Sequence, residues 1–349
     1  PTLYTPLIQV QPMDTNYLHC GRRGALVALS VTLLLTLVSV SCSQRRRTPE
    51  EPKPDLGVVT PPKPIDPPVP QPKPEPKPEP KPKPRFEGWT TRPVLDEQQP
   101  HLVFLTGRAR GEKIRFWVDA PQDKRKDVWV DLNNNGKKDK GEEIERFGAM
   151  SYRYSARVID APVITIYGEV SALGCYASEL SALDASGNIH LKTLSCYQNA
   201  LTELRLGENS VLDELACGDN QLTELDVTRC PALTQLYVSG NSLTTLDVTG
   251  CTKLQKLTCF GNKLTTLDVS RNPSLMFLHI YRNKFAESAL TQLSSSLPSA
   301  QRGELVLYDE QGDENVVSDA VIRTAQRKGW KVKYFPKGAN GSAQEYPQK

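Results

Sequence analysis

Histidine is scarce in this chain: 349 residues carry four, His19, His101, His190 and His279. No spacing places one of them with both a nucleophile and an orienting carboxylate, so nucleophile–base catalysis has no visible constellation. A strong charge of either sign is also missing. Lys and Arg number 43 against 40 Asp and Glu, for a formal net charge of +3. The charges are interspersed, and no basic stripe with aromatics appears, which argues against nucleic acid as a partner. Apolar residues make up only 38% of the chain, too few for every part of it to own a core.

What the chain does have is a period. Between residues 170 and 283 the segments VSALGCYASEL, LKTLSCYQNAL, LDELACGDNQL, LTQLYVSGNSL, LQKLTCFGNKL and LMFLHIYRNKF begin at Val170, Leu191, Leu212, Leu233, Leu254 and Leu275, always 21 residues apart. One coil of this size cannot bury its apolar face alone, whereas stacked coils can. Leu173, Leu194, Leu215, Leu236, Leu257 and Leu278 share one phase and are predicted to form an inner column. Cys175, Cys196, Cys217, Val238, Cys259 and Ile280 form a second column. Ser178, Asn199, Asn220, Asn241, Asn262 and Asn283 form a third, whose buried amides must pair with backbone of their own and the neighbouring coil. The later half of each coil (LTELDV, LTTLDV, LTTLDV from Leu222, Leu243 and Leu264) alternates apolar and polar residues, which predicts a short extended segment on the convex side.

The pattern L-x-x-L-x-C/V/I-x-x-N-x-L is similar to the leucine-rich repeat. The 21-residue coil with Cys in place of the third leucine resembles the internalin-like class of bacterial surface proteins, of the internalin J type. The resemblance covers the middle third of the chain. It implies a leucine-rich-repeat solenoid of parallel β coils that binds other macromolecules and is not an enzyme.

Eight cysteines would suggest disulfides in an exported protein. Cysteines of one column, however, stand about 4.8 Å apart along the stack and point the same way, which holds their Cβ atoms beyond the roughly 3.8 Å a disulfide favours. Buried thiols are expected. Cys230 and Cys251 form another column at the convex turn, where a bridge is less firmly excluded. No histidine shares the phase of the cysteines, so a metal site among them is unsupported.

Around the repeats the chain divides by composition. Met13 reads as a start, followed by Arg22–Arg23, an apolar run at 24–40 and Ser41–Cys42, a secretion signal. The small residues before Cys42 resemble a bacterial lipobox, which implies cleavage before Cys42 and lipidation of its sulfur; an uncleaved anchor is the alternative. Residues 49–84 contain 16 of the 28 prolines and end in PKPEPKPEPKPKP. Such a segment favours polyproline II and spans on the order of 100 Å when extended, a spacer from a membrane. The expected divisions are signal peptide 1–41, lipid-anchored linker 42–85, β-rich N-terminal cap domain 86–162, repeats 163–285, small α/β C-terminal cap 286–336 and a polar, frayed tail 337–349. In the cap regions IRFWVDA, VWVDL and LVLY read as strands, and Ser318 reads as the cap of a helix that Gly329 stops.

The sharpest chemical motif is DLNNNGKKDKGE at 131–142. It fits the calcium-loop pattern, with oxygens from Asp131, Asn133, Asn135, Asp139 and Glu142, a main-chain carbonyl from Lys137 and Gly136 at the turn. Ca²⁺ there would be structural. A hairpin loop rich in Asn and Gly, residues that tolerate positive φ, uses the same letters.

The positions expected on the concave face collect Tyr176, Tyr197, Tyr237, Phe260, Phe277, His279 and Tyr281. Aromatics are enriched in binding surfaces, but they also suit strands. Asp213, Glu214 and Asp219 make one coil acidic, which favours basic groups on a partner. Six short strands offer a face on the order of 350 Å², below the roughly 800 Å² per partner of a standard interface, so tight adhesion calls for many copies. The expected protein is a surface lipoprotein of a Gram-negative outer membrane that binds proteins in adhesion to host or neighbouring cells. Carbohydrate capture at the outer membrane and a structural envelope role are the alternatives.

Overall fold

The computed structural model describes residues 86–148, 155–337 and 342–346. They lie within a unit running from Arg85 to Lys349. Cys42, the signal and the proline-rich segment fall outside the described residues.

Ahead of the repeats come β1 (His101–Thr106), β2 (Lys113–Asp119), β3 (Trp129–Asp131), β4 (Ser155–Val158) and β5 (Val163–Tyr167). The repeats supply β6 (Ala172–Gly174), β7 (Leu180–Asp184), β8 (Thr193–Ser195), β9 (Glu203–Arg205), β10 (Glu214–Ala216), β11 (Gln235–Tyr237), β12 (Lys256–Thr258) and β13 (Phe277–His279). After them follow α1 (Glu287–Ser296), β14 (Gly303–Asp309), α2 (Asp319–Arg327), β15 (Trp330–Phe335) and β16 (Gln344–Glu345).

The 21-residue period becomes register. β6, β8, β10, β11, β12 and β13 pair in parallel, and Leu173, Leu194, Leu215, Leu236, Leu257 and Leu278 stand opposite one another along the sheet. All six are fully buried, as are the six residues of the cysteine column. This is a β-rich, leucine-rich-repeat-like fold. Burial of one leucine stabilises by roughly 1.5 to 3 kcal/mol, and each is shared with the coils on either side.

The asparagine column pairs with backbone as expected. Asn199, Asn220, Asn241, Asn262 and Asn283 each donate from Nδ2 to the carbonyl 24 residues earlier, at 2.8–3.1 Å. Each Oδ1 accepts the N–H of the residue 19 positions earlier. Every amide therefore ties two coils together. At the first coil Ser178 turns its hydroxyl to the Arg115 carbonyl of β2, 2.9 Å away. Beyond the last coil, Asn315 continues the column by donating to Ile280 and Leu307 and accepting from Phe285.

A second asparagine column was hidden in the sequence by substitution. Asn188, Asn209, Cys230, Cys251 and Asn272 share one phase in the turns that precede the parallel strands and are buried. Asn272 donates to Val248 and Cys251, Asn209 donates to Leu191, and the Cys251 thiol donates to Val227. The two cysteines thus replace asparagines in a structural column. All six described cysteines are free and buried.

Three local expectations are corrected. The segments at 222–227, 243–248 and 264–269 form no strands. Extended pairing on that side is confined to β7 and β9, where β1 runs antiparallel to β7 and begins the ladder; later coils keep single bonds such as Ser242 N–H to Leu222 carbonyl. Ser318 holds the N-cap position of α2 in extended geometry, but its hydroxyl makes no cap bond and is buried without a partner. Within the segment expected to fray, β16 pairs antiparallel with β15, and Tyr346 rests on Tyr334 with ring centroids 4.5 Å apart.

The sheet runs on past the repeats. β14 and β15 add in parallel, with Leu278 opposite Leu305 and Leu305 opposite Val332, so the step lengthens to 27 residues while α1 and α2 occupy the crossovers. Gly329 stops α2 at φ +85°, and a Cβ there would lie 1.7 Å from the Ala300 carbonyl oxygen. That position admits only glycine, on both conformation and space. At the other edge β2 pairs antiparallel with β6, and β4 with β2.

Candidate ligand face on the parallel sheet

With every inner leucine committed to the core, the residues on either side of it face the opposite way across the sheet. Tyr237, Phe277 and His279 come from strand positions; Tyr176, Tyr197, Phe260 and Tyr281 come one residue after the buried Cys or Ile of their coil. Immediately after these, Ala177, Gln198, Asp219, Gly240, Gly261 and Arg282 all take positive φ, between 46° and 66°. One left-handed residue per coil turns the chain off the sheet, at a conformational cost in the four coils where it is not glycine.

The structure gathers the seven predicted residues on this face but does not expose them equally. Tyr176, Tyr197, Tyr237, Phe260, Phe277 and His279 are half-buried, whereas Tyr281 is only 4% exposed. Tyr281 lies between Phe260, stacked at 4.4 Å, and Phe335, at 4.9 Å, and so serves as packing beneath the face. The strand at 332–335 is expected from the sequence and is found as β15, but the place of Phe335 against Tyr281 is not, because the 27-residue step breaks the phase. Tyr176 and Tyr197 form a separate pair at 5.0 Å.

Charge on the face is arranged in two zones. Toward the C-terminal edge, Glu304 on β14 accepts from Lys333 at 2.6 Å and lies 3.0 Å from His279 Nε2. The His279 hydrogen bond, followed by Lys333, holds the Glu304 carboxyl down at about 2. In the third coil, burial and then Asp213 push the Glu214 carboxyl up, and burial does the same for Asp219. Burial, with Glu214 nearby, moves the Tyr237 phenol to about 12. Tyr237 donates its hydroxyl hydrogen to Gln235 Oε1 at 2.7 Å.

The loop at 131–142 curls around its own carboxylates. Asp131 accepts N–H groups from Asn133, Asn135 and Gly136. Glu142 accepts from Leu132 and Asp139, and its carboxyl is pushed up chiefly by burial. Asn133 and Asn135 aim their amide nitrogens at Asp139 Oδ2, at 2.8 and 2.7 Å. The loop carries donor types that suit a hard cation, three carboxylates and two amides, but among the described residues no three acidic, His or Cys side chains are drawn together closely enough to hold a metal ion. A half-turn of each amide exchanges nitrogen for oxygen toward Asp139.

A cavity of 260 Å³ lined by Pro121, Ser171, Ile189, His190, Lys192 and Val211 includes none of the predicted aromatics. His101 is buried in β1, with Nδ1 2.7 Å from the Gln99 carbonyl.

No family model matches the sequence, and no curated protein does. Among solved structures, an internalin from Listeria monocytogenes is 16% identical, with 48% of this chain and 47% of that one covered at a TM-score of 0.38. The chain is similar to bacterial internalin-type leucine-rich-repeat proteins. A leucine-rich-repeat protein from Leptospira interrogans is 24% identical over 44% of this chain and 48% of that one, at 0.33. The functional domain of InlJ from Listeria monocytogenes, described as including a cysteine ladder, is 18% identical over 52% and 56%, at 0.21. This chain spans about half the length of each.

Proposed function

We propose that this chain is a bacterial surface protein that binds another protein through the outward face of its parallel sheet, in adhesion rather than catalysis. In this reading the repeats form a solenoid closed by β2 and β4 at one end and by β14, β15 and β16 at the other. Residues 42–85 hold it away from an outer membrane on a lipid attached to Cys42. The observation that carries the binding role is a continuous, in-register sheet face on which aromatic rings stand half-exposed although the core beneath is already complete. Buried leucines explain the fold without them.

The test is capture of host-matrix proteins and glycans by the fragment from Phe86 onward, beside a variant with Tyr197, Tyr237 and Phe260 changed to Ala. A protein ligand is expected, with affinity in the folded variant reduced by about 30-fold or more, the scale of a lost hot spot. Capture of glycans alone would transfer the role to carbohydrate binding. Undiminished capture by the variant would move the site off this face.

We further propose that Asp131, Asn133, Asn135, Asp139 and Glu142, with the Lys137 carbonyl, hold a structural Ca²⁺. The ion would offset two of the three carboxylate charges and fix the loop that follows β3. Saturating calcium is then expected to raise the melting temperature by about 5 °C over chelator, on the mass-action scale for a ligand held only by the native state. An unchanged melting temperature in calcium would remove the ion from the reading.

A further inference from the structure

The aromatic column on the face has a gap. Its members, one per coil, are Tyr176, Tyr197, Gly218, Ser239, Phe260 and Tyr281, so this column carries no ring at two levels between the Tyr176–Tyr197 pair and the Phe260–Tyr281 pair, although Tyr237 stands two residues before Ser239. At about 4.8 Å per coil, Tyr197 and Phe260 stand roughly 14 Å apart. At the same two levels the adjacent left-handed column holds Asp219 and Gly240. Gly218, Ser239 and Gly240 therefore floor a low-bulk depression between the rings of Tyr197 and Phe260.

The depression is acidic. Asp219 lies across it, its Oδ1 only 2.4 Å from where a Cβ on Gly240 would sit. Glu214 stands in the same coil, half-buried, and no ion pair or side-chain hydrogen bond to its carboxylate occurs among the described residues. Lys256, in phase with Glu214, is two coils further on. Between the rings, Ser239 is 6% exposed and its hydroxyl has no hydrogen-bond partner. It shares the phase of Tyr197 and Phe260, so it is directed to the face between them.

We propose that this gap receives a positively charged side chain of the bound protein, arginine in particular. The inference rests on the reading of the sheet face as a protein-binding surface. A guanidinium stacks on an aromatic face, satisfies a carboxylate through a planar fork of donors, and sheds water more readily than an ammonium. Asp219 and Glu214 supply the carboxylates, Tyr197 and Phe260 the walls, and the Ser239 hydroxyl an acceptor. A partner's aromatic ring or a sugar would use the walls and leave the half-buried Glu214 carboxylate without a counter-charge, while exposed Asp219 keeps its Gln198 hydrogen bond.

The probes are fluorescent tetra-arginine and tetra-citrulline peptides, the second being uncharged but alike in shape, with the full chain in detergent. Tetra-arginine is expected to bind at least about tenfold more tightly than tetra-citrulline, and an Asp219→Asn, Glu214→Gln variant with unchanged melting temperature should erase that preference. Absence of tetra-arginine binding, equal binding of the two peptides, or an unaffected variant would overturn the proposal. A tetra-tyrosine peptide binding more tightly than tetra-arginine would instead assign the gap to aromatic rings. The protein ligand found by capture separates the two levels. If the variant lacking Tyr197, Tyr237 and Phe260 loses that ligand while the carboxylate variant keeps it, the face stands and the arginine site falls; if both variants keep it, both readings fall.

Discussion

Changing Asn241 to Ala is expected to lower stability by about 4 kcal/mol and the melting temperature by about 10 °C. The Asn241 amide donates to the carbonyls of Cys217 and Val238 at 3.1 Å and to that of Ser239 at 3.4 Å, while its Oδ1 takes the Leu222 N–H at 2.9 Å. Alanine leaves those groups buried without partners, and each buried orphan costs about 1 to 3 kcal/mol. The damage falls between coils, because two of the four bonds reach back into the preceding repeat. In a stack stabilised by nearest-neighbour contacts, a weak interface divides the cooperative unit. Asn241→Asp is expected to fall between wild type and Asn241→Ala, since it keeps the acceptor and loses the donors. Urea unfolding of the three proteins measures this, and a loss below about 1 kcal/mol for alanine would show that the column is dispensable.

Alkaline pH is expected to unfold the repeats, with the loss beginning near pH 8.5. Burial pushes the thiols of Cys175, Cys217, Cys251 and Cys259 up to about 12 and that of Cys230 to about 11, and Cys196 is raised well above its ordinary value by burial and by Cys217 and Cys175. In the unfolded chain the same thiols ionise near 8.5. The fold holds protons that the unfolded state releases, so this contribution is whole below pH 8.5 and is lost as pH rises toward 11 and 12. Each thiol accounts for roughly 1.4 kcal/mol per pH unit across that window, and six together rival the whole stability of an ordinary domain. Urea midpoints between pH 8 and 10.5 should fall steeply. Cys196→Val should flatten the fall by one thiol's share, because Val238 already fills the same column and is fully buried. A midpoint constant up to pH 10.5 would contradict the burial of the ladder. Native protein should also leave all six thiols inert toward a thiol reagent below pH 8, since thiolate is the reactive form.

The leucine, cysteine and first asparagine columns were legible because a strict period converts sequence phase into spatial neighbourhood. Once the 21-residue step is recognised, Leu215 must face Leu236, and no tertiary knowledge is needed. The second asparagine column was legible only in fragments, since Cys230 and Cys251 interrupt it between Asn209 and Asn272. Asn315 was out of reach altogether, because the step had lengthened by then and phase no longer pointed to position.

The candidate face shows the same division. Repeat phase by itself placed Tyr176, Tyr197, Tyr237, Phe260, Phe277, His279 and Tyr281 on one side of one sheet, and put Asp213, Glu214 and Asp219 in one coil. Phase is a local property, carried by covalent spacing. The tertiary structure decided what phase cannot carry: that Phe335 returns from a strand outside the period to bury Tyr281, that Glu304 and Lys333 close on His279, and that the Ser239 hydroxyl is buried without a partner. Each of these depends on side-chain volume and on chain arriving from another part of the sequence. Packing and burial are properties of the assembled sheet, and they exist only once the coils have stacked.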